Sequence, residues 1–222
     1  MVTHVAGAIV RMVLVVFGWG VLSAAVATPG TDAGWQAYRG GDYAAARAMY
    51  QQGAARGDRL AQFNLAMMLL RGEGGRADVD EGVVWLRKAA EAGLPQGQYN
   101  LGLLYENGMG VTRSLTMATE WWQKAADQGH TEAQVQVATQ YFLGRGAPKD
   151  WKLAAKWYEA AAQNGDPGAQ YIIGSFYEHG DGVPQDLKKA LAWFVAAAKQ
   201  GDPGAAVQAK DVARRLAEGT KP

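Results

Sequence analysis

Apolar positions along this chain fall in clusters that return at a fixed step. Leu65-Ala66, Leu101-Gly102, Val137-Ala138 and Ile173-Gly174 stand 36 positions apart. Leu69, Tyr105, Tyr141 and Tyr177 follow four residues after the first member of each pair. Four residues is about one helical turn, so each set marks the buried face of one helix. A second set runs through Trp85-Leu86, Trp121-Trp122, Trp157-Tyr158 and Trp193-Phe194, with Met49-Tyr50 one period earlier. Gly82, Ala118, Ala154 and Ala190 lie three residues before the tryptophans. Small residues at fixed places let neighbouring helices approach closely. The spacing predicts that Trp85, Trp121, Trp157 and Trp193 fill the wedges between consecutive helix pairs, with Tyr105, Tyr141 and Tyr177 in the repeat core.

Polar and helix-breaking residues keep the same step. Gly57, Gly93, Gly129, Gly165 and Gly201 close the small-residue runs, where a left-handed residue ends a helix. Gly72 and Gly74, Gly108 and Gly110, Gly144 and Gly146, and Gly180 and Gly182 end the first helix of each pair. Asp78, Ser114, Asp150 and Asp186 then cap the second. Asp166-Pro167 and Asp202-Pro203 set a cap before a proline at the first helical position, and Thr131 with Gln134 reads as a capping box. A period in this range signals stacked helical hairpins, none of which buries its apolar face alone.

The pattern divides the chain. Residues 28–34 read as a linker and 35–57 as an abbreviated unit: a helix over Trp35–Arg39, a Gly40-Gly41 turn and a second helix capped by Asp42. Four 36-residue units follow over 58–201. Residues 202–222 form a C-terminal capping helix, roughly Asp202 to Glu218, and a tail. Ala213 stands where earlier units carry an aromatic, and Lys210, Asp211, Arg214 and Arg215 make this helix polar, as the end of a stacked array requires in water.

The N-terminus departs from the repeat. Arg11 precedes an apolar run from Met12 to Leu22, and Ala25 and Ala27 form an A-x-A cleavage pattern. Residues 1–27 therefore read as a signal peptide cleaved near Ala27, with a periplasmic or secreted product. Residues 5–10 are also apolar, so an uncleaved membrane anchor over residues 5–27 is the alternative. Lys+Arg is 22 and Asp+Glu is 21; without residues 1–27, which hold only Arg11, the balance is even. Such a balance makes no case for nucleic acid. Cysteine is absent, which excludes disulfides and thiolate sites.

LGLLYENGMGV at 101–111 followed by WWQKAADQGH at 121–130 resembles the Sel-one-like repeat, a relative of the tetratricopeptide repeat. The resemblance covers about 58–201, and residues 35–57 look more like a tetratricopeptide unit. Leu69, Gly75, Val135, Gln140 and Ala147 depart from the family pattern. The resemblance implies an all-α fold: a right-handed α/α superhelix, or solenoid, of about five helix pairs plus the terminal helix. Its first helices line a concave face that holds proteins or peptides. In the tetratricopeptide geometry Asn64, Met67, Asn100, Leu103, Gln136 and Thr139, with Ile172 and Ser175, face that groove. Carboxamides there suit an extended peptide backbone, because each both donates and accepts. The competing interpretation makes them solvated residues on the helix face.

Chemistry is hard to find. Ser23, Ser114 and Ser175 are the only serines, and no S-x-x-K or K-T-G grouping accompanies them. His130 and His179 are isolated, the G-x-G pairs lack a third glycine, and no carboxylate pair stands out. The expectation is a non-enzymatic, exported interaction scaffold with no cofactor and no metal, whose partner is a protein or peptide, with a possible regulatory place in the cell envelope. Two alternatives stand beside it. One is an enzyme binding or hydrolysing β-lactam or peptidoglycan fragments, as a cysteine-rich group of the family implies. The other is a structural spacer held by an uncleaved N-terminus.

Overall fold

The computed structural model describes residues 29–219; the expected signal peptide or anchor and the last residues of the tail lie outside the described residues. Every regular element described is a helix: α1 (Pro29–Arg39), α2 (Tyr43–Ala55), α3 (Arg59–Arg71), α4 (Val79–Glu91), α5 (Pro95–Asn107), α6 (Leu115–Ala126), α7 (Thr131–Leu143), α8 (Trp151–Gln163), α9 (Pro167–His179), α10 (Leu187–Lys199) and α11 (Pro203–Gly219). They divide into two compact units, 29–130 and 131–219.

In the 29–130 unit three hairpins, α1/α2, α3/α4 and α5/α6, pack in a row through α2 on α3 and α4 on α5. In the 131–219 unit α7/α8 and α9/α10 pack through α8 on α9, and α11 lies on α10. Local chemistry sets each corner. Gly57, Gly93, Gly165 and Gly201 take φ between 81° and 94°. Each bonds a carbonyl three residues back, while the next residue's N–H bonds the carbonyl five back, as Asp58 does to Gly53 at 3.2 Å. This pairing satisfies the last carbonyls of the second helix. At the other end, the cap residue's N–H closes the hairpin on the first helix: Asp78 to Leu69, Ser114 to Tyr105, Asp150 to Tyr141 and Asp186 to Tyr177, at 2.8–2.9 Å. All four side chains then accept from amides in the first turn of the second helix.

Three expectations change. The segment read as a linker over 28–34 is helical from Pro29. Gly34 is the reason: a Cβ there would lie 2.7 Å from the Tyr50 ring, so Gly34 is the small residue under the first hairpin's aromatic. That unit is shortened chiefly in its loop, 40–42 against 72–78 in the next hairpin. Thr131 is the first residue of α7 and not its cap. Finally, the deepest wedge belongs to the second residue of each aromatic pair. Leu86, Trp122, Tyr158 and Phe194 are 0% exposed and Tyr50 is 2%. Trp121 and Trp157 are buried at 7% and 8%, but Trp85 and Trp193 are only half-buried. Trp85 packs against both apolar clusters of its unit, and its Nε1 donates to Glu81 at 3.1 Å. The ammonium groups of Lys88 and Lys124 lie 4.0 and 3.8 Å from the ring centres of Trp85 and Trp121, so these rings form an amphipathic rim.

The terminal helix buries only small side chains, Ala205, Ala209 and Val212. Arg215 on α11 ion-pairs with the buried Glu178 of α9, which ties the capping helix to the hairpin below it.

One cap carries a pH prediction. Asp166 starts α9 by accepting from Ala169 N–H at 2.6 Å, yet burial raises its carboxyl above the ordinary value of 3.8. The folded chain then keeps a proton that the unfolded chain releases, so this group's contribution falls as pH rises from about 4 through the raised value. Asn caps as well as Asp and carries no charge. Asp166→Asn is expected to raise the melting temperature at pH 7, with the gain closing as pH drops below about 4; a gain independent of pH in thermal melts would refute it.

Candidate interaction face

The face predicted from sequence lies on the first helix of each hairpin, and each unit presents it differently. In the 29–130 unit Met67 on α3 and Leu103 on α5 are half-buried at equivalent positions. Gly34, like Gly102, sits directly beneath its hairpin's wedge residue, which places Trp35 of α1 in the same register. Trp35 is half-buried and stacks on Tyr38 with ring centres 5.9 Å apart, and Tyr43 meets Tyr38 edge-on at 5.1 Å. Three successive first helices thus hold a large apolar side chain partly in water at one position. Trp35 was missed because the first unit reads as beginning at Trp35, with Gly34 left in the linker; the Gly-Trp dipeptide matching Ala66-Met67 and Gly102-Leu103 was the available signal.

The asparagines are less free than predicted. Asn64 is 7% exposed, and although it lies beside the Tyr50 hydroxyl its Nδ2 lacks a hydrogen bond of good geometry. Burial pushes the Tyr50 hydroxyl up to about 12, with the Asn64 contact working in the opposite direction. Asn100 is half-buried and donates from Nδ2 to its own helix, at Gln96 O, 2.8 Å.

In the 131–219 unit the row is largely closed. Gln136 is half-buried, whereas Thr139 is 8% exposed. The Thr139 hydroxyl lies 2.8 Å from Val135 O and 2.9 Å from the Tyr158 hydroxyl. Tyr158 fills the wedge, and burial raises its pKa because a phenolate there would lose its water. Thr139 supplies that hydroxyl with a partner, so its place in the groove set is corrected to a core contact. Ile172 at 2% and Ser175 at 6% are buried as well.

The repeat tyrosines do structural work. Tyr105 accepts from Arg87 Nη1 at 3.0 Å, and Tyr177 donates to Glu159 at 2.8 Å with Lys189 over its ring. Tyr141 is half-buried at the equivalent place.

Ser175 and His179 are neighbours on α9, with Oγ and Nδ1 3.4 Å apart. Nδ1 also lies 2.9 Å from the Ser175 carbonyl, an acceptor only, so Nδ1 carries the proton and cannot take one from the hydroxyl. That geometry lacks the nucleophile–base pairing of covalent catalysis. Among the described residues no cluster of three His, Asp or Glu could hold a metal, and no helix is long and apolar enough to cross a membrane.

The Sel1 repeat family matches this chain five times, at residues 34–58, 59–94, 95–130, 131–166 and 167–202. The chain belongs to the Sel1 repeat family. The last four Sel1 matches begin one residue later than the units read from sequence, while the first begins one residue earlier and takes in Gly34. Sel1 repeat proteins are generally protein-interaction scaffolds, mostly without enzymatic activity. Among solved Sel1-type structures, the chain is 34% identical to a protective antigen of uropathogenic Escherichia coli strains with an SLR fold, with a TM-score of 0.80 over 87% of this chain. The matched region is 42% of that antigen's length. A Sel1 repeat protein from Oxalobacter formigenes is 32% identical, with a TM-score of 0.77 over 82% of this chain and 74% of the other. No match was found among curated proteins.

Proposed function

We infer that this chain is an exported Sel1 scaffold that captures a protein or peptide on the first-helix face of its 29–130 unit. The observation that carries the proposal is the register of Trp35, Met67 and Leu103, each half-buried on α1, α3 and α5. Water gains from covering such side chains, and partly exposed aromatic and apolar anchors supply most of the energy in protein recognition. Half-buried Asn100 adds a carboxamide beside them. The binding set shifts accordingly from the six residues read in sequence to these four. Export rests on Arg11, the apolar run and the A-x-A pattern, and a protective antigen among the similar proteins fits a location accessible from outside the cell.

Trp35→Ala, Met67→Ala and Leu103→Ala together are expected to weaken partner capture from envelope extract about tenfold or more, with helical circular dichroism kept. Full capture by a folded triple variant would sink the proposed face. Capture is measured with the native leader present, and the recovered protein's mass should correspond to a chain starting at Thr28; an intact leader would favour the anchored alternative.

A further inference from the structure

Four successive first helices carry a buried glutamine at one register position: Gln62, Gln98, Gln134 and Gln170, at 5–7% exposure. Gln62, Gln98 and Gln170 donate from Nε2 to a carbonyl near the end of the preceding second helix: Ala54, Ala90 and Ala162, at 3.4, 3.2 and 3.1 Å. The Oε1 of this glutamine then accepts from a side chain thirty residues on, at the end of its own hairpin. Gln128 reaches Gln98 at 2.7 Å, Asn164 reaches Gln134 at 3.0 Å and Gln200 reaches Gln170 at 2.9 Å. A complete clasp, as at Gln98 and Gln170, joins three helices. In the α3/α4 hairpin the thirtieth residue is Ala92, which has no side-chain amide to give, and Gln62 Oε1 is buried without a hydrogen-bond partner. Arg59 reaches that corner only as far as the Ala92 carbonyl, at 3.4 Å from an exposed side chain.

We propose that the missing clasp makes the α4 end around Ala92 a soft joint, at which the 29–130 unit opens locally while the rest stays folded. A buried acceptor without a donor destabilises the closed corner, because opening returns it to water. Gln62, the α3 side of this joint, lies two residues from Asn64. Its test needs no partner, and it stands whether or not the face binds one.

The measurement is amide hydrogen exchange, read by mass on the full chain. Wild-type segment 86–94 should exchange faster than its equivalent 158–166, whose corner Asn164 clasps. Ala92→Gln should slow exchange over 86–94 by about five- to thirtyfold, the ratio that one recovered hydrogen bond supports, and leave 158–166 unchanged. Gln200→Ala, which deletes an existing clasp, should speed exchange over 194–202 by a similar ratio. In a Gln62→Leu background Ala92→Gln should have no effect. Equal exchange of 86–94 and 158–166 in the wild type would overturn the proposal. So would slowing by Ala92→Gln that persists without Gln62, since helix capping alone would then explain it.

Discussion

Trp122→Ala is expected to destabilise the protein by about 4–5 kcal/mol, more than any of Trp85, Trp121, Trp157 or Trp193 changed the same way. Trp122 is 0% exposed, and its Nε1 donates to Tyr99 O at 3.1 Å. Truncation leaves a cavity and removes the indole's hydrogen bond to the neighbouring helix together. Gly102 makes collapse harder, since it offers no side chain to fill the space. The two residues are matched: a Cβ at Gly102 would lie 2.6 Å from Cδ1 of the indole, so Gly102→Ala alone should also destabilise. The neighbouring hairpin solves the same problem with Ala66 and Leu86, which share one cluster. Gly102→Ala with Trp122→Leu transplants that pair and should recover most of the loss. Urea midpoints of the three variants decide the matter; strict additivity of the two substitutions would contradict the matched pair.

Gly182→Ala should cost about 3 kcal/mol or more, against about 1–2 kcal/mol for Gly165→Ala. Both glycines have positive φ, 70° and 94°. Gly165 faces open space, so alanine there meets only backbone strain. A Cβ at Gly182 would fall well inside van der Waals contact of the Trp151 carbonyl, the first residue of α8. Gly74 meets the Tyr43 carbonyl in the same way at the start of α2. The second glycine of these loops is therefore where one hairpin's loop rests on the preceding hairpin's second helix, a role beyond turning the chain. Comparable melting temperatures for the two variants would show that the loop can move aside.

Much of the fold was legible beforehand. Asp78, Ser114, Asp150 and Asp186 cap as read, and the period glycines take the left-handed conformation that their place after a helix requires. The face was less legible. Periodicity marked the tryptophan of each aromatic pair as the wedge residue, although its neighbour lies only about 100° away around the helix. It could not say that Trp122, rather than Trp121, sits deepest, because that depends on the angle of the facing helix. Thr139 has the register of a groove residue, but its hydroxyl lies against the Tyr158 hydroxyl. Gln62, Gln98, Gln134 and Gln170 share the 36-residue step, but only the tertiary structure sets which carbonyl and which distant amide a carboxamide meets there.

By itself the sequence determined where helices start and stop and that they come as repeated hairpins, because a cap or a left-handed glycine acts on its own backbone within a few residues. Only the tertiary structure decided which side chain fills each wedge, which amides are used up inside, and which apolar groups remain partly exposed. Those outcomes depend on a second helix arriving from tens of residues away, at a distance and angle that no local pattern records.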